Sequence, residues 1–281
     1  MIVTGLLIRI QKWRVRNISH HNFVLILSLI VGIISGLSAV VLKNTVYYTH
    51  HFLTMGFNIE GENLLYLAYP LLGMALTVVF VRYFVKDNIS HGVSRILYCI
   101  SKNNSHLKVH NNYSSLVGAT LTVGFGGSVG LEAPIVLTGA SIGSNLARVM
   151  RMDYRTITLM IGCGAAGAIA GIFKAPIAAV IFALEVLMLD LTMGSLIPLL
   201  IAAVTGATVS SFLMGKAALF NFQVTDPFSL TNIPFYIILG IVTGLVSLYF
   251  TRANMFIESQ MGKIINPLRK LLIGGIAVSV L

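Results

Sequence analysis

Acidic side chains are scarce in this sequence. Nine Asp and Glu stand among 281 residues, against nineteen Lys and Arg, and residues of both signs make up only 10%. A soluble domain carries about 25% charge, so a soluble globular fold is excluded. Cysteine is nearly missing as well. Cys99 and Cys163 are the only two; both fall in apolar surroundings without ligand-like spacing, so they read as core thiols, not as a disulfide or a metal site. No cleavable leader is visible either, since the short apolar start is followed by the basic, polar stretch Lys12 to His21 and not by small residues.

What is present is long apolar runs. Hydrophobic residues reach 56%, and mean hydropathy is +0.88. The chain is therefore expected to be all-α, a polytopic membrane protein in which full and half-spanning helices alternate. The net charge of +10 sits between the apolar runs. That suits loops facing the cytoplasm and anionic lipid, not nucleic acid. No cofactor is indicated.

Residues 1–21 carry Arg9, Lys12, Arg14 and Arg16 among Leu6, Leu7, Ile8 and Ile10. They read as an amphipathic helix on the cytoplasmic face, which puts the N-terminus inside. Full spans are expected at Phe23 to Val46, Leu64 to Val85, Thr156 to Ile172, Ser195 to Leu213 and Phe235 to about Phe256, since about 20 residues cross the hydrocarbon. His91 to Ile100 is half that length, either a surface helix or a half-helix stopping at mid-membrane. Ile177 to Leu189 is a further short helix. The run from Leu116 is broken by Gly124, Gly126, Gly127 and Gly130, which predicts a helix to about Phe125, an unwound link, and a second helix from Pro134. Leu271 to Leu281 starts another helix and ends without a polar flank, which reads as a fragment or a truncated reading frame. The expected division is 1–21, a first membrane repeat at 22–214, and the start of a second at 215–281.

The unwound link carries Glu132. An ionisable side chain at membrane depth is costly and marks a functional site by default. The helix start beside it leaves N–H groups unpaired and carries partial positive charge. The arrangement reads as a helix N-terminus aimed at an anion, with an acid beside it. The plainer alternative is a structural acid paired with a basic residue inside the bundle. For the glycines at 162 to 171 the plainer reading is close helix packing.

Several of these segments resemble the chloride channel and transporter (CLC) family. Gly130-Leu131-Glu132-Ala133-Pro134 is similar to the family's Gly-Lys/Arg-Glu-Gly-Pro signature. Thr138 to Gly143, Gly164-Ala165-Ala166-Gly167, Phe173 to Ala178 and Ile181 to Glu185 follow at the family's distances. The resemblance covers about Phe23 to Leu281, the first of two inverted repeats and the start of the second. It implies an anion bound at Gly92, Gly130, Leu131 and Ala133, with Glu132 as a gate that competes with the anion when ionised and swings away when protonated. Burial and a nearby anion both raise a carboxyl pKa, so the gate is expected to respond to pH.

Ser90-His91-Gly92 stands where the family has Gly-Ser-Gly. His91 thus takes the position of the anion-coordinating serine, and Ser90 or backbone N–H groups are the substitutes; a plain helix-end histidine is the other reading of His91. Lys174 is a candidate for the inner vestibule or a snorkelling lysine. Val186 takes the position of the inner glutamate of proton-coupled members, which tilts the reading towards a channel. The resemblance further implies a homodimer with one pore per subunit in a bacterial-type inner or plasma membrane.

The function expected from the sequence is a voltage- and pH-gated chloride channel subunit. A chloride/proton antiporter is the alternative, and an inactive truncated fragment is another. An intramembrane enzyme using Glu132 and His91 as acid and base would need a nucleophile or metal constellation, and no Ser-His pairing stands out in the sequence.

Overall fold

The structure, a computed structural model, describes residues 16–55, 65–87, 92–188, 193–215 and 229–280. The expected amphipathic helix at 1–21 falls almost wholly outside them, as do Ser90 and His91. The described part is all-helical. It divides into two compact units, Met1–Leu219 and Phe220–Leu281.

In the first unit α1 (His20–Thr54) opens on Ser19, whose hydroxyl accepts the Asn22 N–H at 3.4 Å. α2 (Leu65–Phe80) runs into a π-helical turn, Val81–Val85, closed by Lys86 in the left-handed region at φ 51°. Then come α3 (Gly92–Lys102), α4 (Asn111–Gly124), α5 (Glu132–Val149), α6 (Tyr154–Phe173), α7 (Pro176–Val186) and α8 (Met193–Met214). The second unit holds α9 (Ile233–Gly262) and α10 (Pro267–Val280). Among the described residues, the helical segments His20–Thr54, Ala68–Val85, Tyr154–Phe173, Gly194–Met214 and Leu230–Gly262 are long and apolar enough to cross a membrane.

Several boundaries differ from expectation: α1 runs on to Thr54, past the expected Val46, and two more lie at the site. α4 begins at Asn111, five residues before the apolar run at Leu116. Its polar first turn is not a loop: Asn111, Ser114 and Ser115 are all buried. α5 begins at Glu132, not Pro134, so the acid lies inside the first helical turn and the proline completes that turn.

Small residues hold the first unit together. Gly32 and Gly36 on α1, Gly167 and Gly171 on α6, and Ala202 and Gly206 on α8 form three four-residue stripes that meet. A Cβ at Gly32 would lie 2.6 Å from the Ala202 carbonyl oxygen, and one at Gly167 only 3.2 Å from the Gly32 Cα. Without a hydrophobic drive between helices in lipid, such close backbone approach is how they associate. α5 and α6 form an antiparallel hairpin on the same principle, with Gly139 against Gly164 and Gly143 against Met160. Cys99 and Cys163 are free and buried, as core thiols. The polar side chains of α5 are satisfied locally: the Ser144 hydroxyl donates to the Ser105 carbonyl at 2.6 Å and accepts the Leu107 N–H at 3.1 Å.

Candidate functional site

Helix starts can hold an anion together only if they meet. Those of α3 and α5 do. A Cβ at Gly92 would stand 2.7 Å from the Ala133 carbonyl oxygen and 3.4 Å from the Leu137 Cβ, so only a glycine lets the first turn of α3 lie against the first turn of α5. α3 has 11 residues, about 16 Å at 1.5 Å each, or half of a hydrocarbon core of about 30 Å. Its far end lies at the α1-start end of the unit: the Tyr154 hydroxyl donates to the Ile100 carbonyl at 2.8 Å, and Thr156 is 3.4 Å from the His20 imidazole. Gly92 therefore lies about 16 Å of helix away from that end.

α5 has no side-chain cap, and Pro134 has no N–H to offer. Among the described residues the backbone N–H groups of Glu132 and Ala133 have no acceptor, and unpaired first-turn donors carrying partial positive charge are what an anion needs. Gly92 and Ala133 also line a cavity of about 520 Å³ shared with α2 and α4. Gly130 and Leu131 lead directly into the turn.

Glu132 is exposed, and so are Ser128, Val129 and Gly130 before it. The expected burial of the carboxylate is thus not found in this chain, because the link that carries it is itself uncovered. Its Oε2 folds back over Gly130, into the space that a Cβ there would occupy. No basic side chain among the described residues pairs with it, which removes the structural ion-pair reading for those residues.

Lys174 ends α6 in the left-handed region at φ 55° and donates its Nζ to the Gly215 carbonyl at 2.5 Å. It sits at the opposite end of α6 from Thr156 and His20. Val186 is half-buried against the core at the end of α7, while Glu185 beside it is exposed.

One constellation escaped the sequence. Asp87 Oδ2 meets Arg95 of α3 at 2.5 Å, Lys108 at 2.9 Å and His110 Nε2 at 2.9 Å. His110 Nδ1 is 3.3 Å from the Ser114 hydroxyl, which reaches the cavity wall. A Ser-His pairing therefore does exist. The i, i+4 spacing of His110 and Ser114 was the available signal, hidden because α4 was expected to begin later. His106 precedes His110 by four residues, but both lie before α4 and His110 is engaged by Asp87.

Comparison with known proteins bears on the family and the fold. The family model described as voltage gated chloride channel matches residues 72–281. An uncharacterized protein of Methanocaldococcus jannaschii is 27% identical over 90% of this chain and 60% of its own length. Chloride channel protein CLC-f of Arabidopsis thaliana is 29% identical over 61% of this chain and 24% of its own. Two solved structures share the fold: a slow cyanobacterial Cl−/H+ antiporter (TM-score 0.78, 22% identity, 92% of this chain and 62% of that one) and a CLC-type fluoride/proton antiporter (TM-score 0.79, 24% identity, 92% and 64%). The chain thus spans less than two thirds of the length of each.

Proposed function

Because the chain belongs to the voltage gated chloride channel family, we propose that it supplies the half of a chloride path in which the starts of α3 and α5 receive the anion and Glu132 gates it. The observation that carries this reading is the contact of Gly92 with Ala133, which brings two helix starts together with an acid on the second. Partial dipole charge and backbone N–H groups replace the water a chloride leaves behind, without a full positive charge that would trap it. The ionised Glu132 carboxylate competes for the same donors; protonated, it gives them up. Two subunits in the membrane, each with its own path, complete this reading.

The test is anion flux in proteoliposomes holding the full chain. Glu132→Gln is expected to raise chloride flux at neutral pH and flatten its pH dependence. Flux that stays pH-gated in this variant would count against the gate.

A second reading, proton-coupled antiport, is favoured by the two solved neighbours, both proton antiporters. Val186 at the inner position supports the channel instead. A chloride gradient that drives proton uptake into the vesicles would decide for antiport.

A further inference from the structure

The cavity behind the paired helix starts has three hydroxyls on its α4 wall, Ser114, Ser115 and Thr122, the last of which donates to the Gly118 carbonyl. Ser115 is only 5% exposed. Its Oγ is buried without a hydrogen-bond partner among the described residues. One turn earlier on the same helical face, Asn111 is 1% exposed, and both its side-chain polar atoms are unpartnered too. Buried polar groups are normally satisfied, and each exception asks for a reason. The rest of the lining is mainly apolar, and Arg82 of the π turn is its one cation among the described residues. An apolar cavity with a few convergent donors, two helix starts and one cation has the chemistry of a small-anion pocket.

We propose that this cavity binds a chloride-sized anion through the Ser115 hydroxyl, with Ser114 joining as a second donor when His110 is protonated. This rests on the reading that the starts of α3 and α5 receive an anion, and it adds a hydroxyl from α4 where His91 replaces the family's serine. The linkage follows from counting protons. Neutral His110 donates Nε2–H to Asp87, which leaves Nδ1 as an acceptor that claims the Ser114 proton. Doubly protonated His110 donates Nδ1–H to the Ser114 oxygen, and the hydroxyl proton is released towards the cavity. The charged groups facing His110 are Asp87 after the π turn, Arg95 of α3 and Lys108 of the preceding loop, all on one carboxylate oxygen; Arg82 faces the cavity itself. Proton uptake at His110 and anion uptake at the cavity thus strengthen each other.

The test is calorimetric titration of the full chain in detergent with sodium chloride and sodium bromide at about pH 5.5 and about pH 8. The wild type is expected to bind halide about tenfold more tightly at the lower pH, one charge-assisted hydrogen bond's worth. Ser115→Ala is expected to weaken binding about tenfold at both pH values, and His110→Gln to abolish the difference between them. If Ser115→Ala does not fold, His110→Gln decides alone. Halide binding that is unchanged in both variants overturns the pocket and leaves the gate reading standing. Absence of halide binding in the wild type overturns both. A pH difference lost in Glu132→Gln but kept in His110→Gln assigns the linkage to the gate and also overturns the proposal.

Discussion

At the scale of single residues, Gly130 and Glu132 act as one device. The carboxylate rests where a Cβ at position 130 would stand, and its far end is flexible. Gly130→Ala therefore costs the fold little but evicts the carboxylate from this resting place. Chloride flux at neutral pH is expected to rise towards the level of Glu132→Gln, and flux identical to wild type would show that the resting place does not matter. Asp153, in the link between α5 and α6, behaves differently. The Thr156 hydroxyl donates to its Oδ1 at 2.6 Å, and this bond holds its carboxyl below the usual aspartate value, against a smaller opposing effect of burial. A lowered native pKa stabilises the fold above the unfolded value near about 3.9, and that stabilisation is lost as pH falls through the native value. Thermal unfolding should find Asp153→Asn less stable than wild type at about pH 7, with the gap narrowing as pH falls below the ordinary aspartate value of about 3.9. A gap that widened in acid would contradict the assignment.

At the scale of elements, most helices were legible because apolar runs of about 20 residues leave few alternatives in lipid. The short helix at Gly92 was legible by its length, as a surface helix or a half-helix. What the pattern could not reveal was polar burial. Asn111, Ser114 and Ser115 look like a loop by polarity, yet α4 buries them against neighbours that are themselves polar on that face, such as Thr138. The Asp87 cluster was hidden for a related reason: its members come from positions 87, 95, 108 and 110, and only the packing of α2, α3 and α4 brings them together. The glycine stripes were legible as packing, but not their partners. The α5–α6 hairpin depends on two backbones touching at Gly139 and Gly164, where a Cβ on either would strike the other's carbonyl oxygen. Gly164→Ala is expected to cost at least about 2 kcal/mol through backbone displacement. Unfolding in detergent would read this as a lower midpoint, whereas an unchanged midpoint would show that the hairpin can open without loss.

At the scale of the molecule, the function depends on depth and direction. The basic residues Arg9, Lys12, Arg14 and Arg16 predict an inside N-terminus, which would give the first unit a fixed sense across the bilayer. The starts of α1 and α6 and the end of α3 share one end, through Tyr154 on Ile100 and Thr156 on His20. Met55, closing α1, marks the other. Gly92 and Glu132 are reached from the first end by helices of 11 and 18 residues, and the proposed anion path needs both to stand within the bilayer. Both native cysteines are buried, so a membrane-impermeant maleimide has a quiet background. Asn104→Cys, in the exposed turn after α3, is expected to react only from the cytoplasmic side of sealed vesicles, and Met55→Cys only from the opposite side. If both positions react from one side, α1 does not cross, Gly92 is not at mid-depth, and the anion path built on the contact of α3 with α5 loses its membrane.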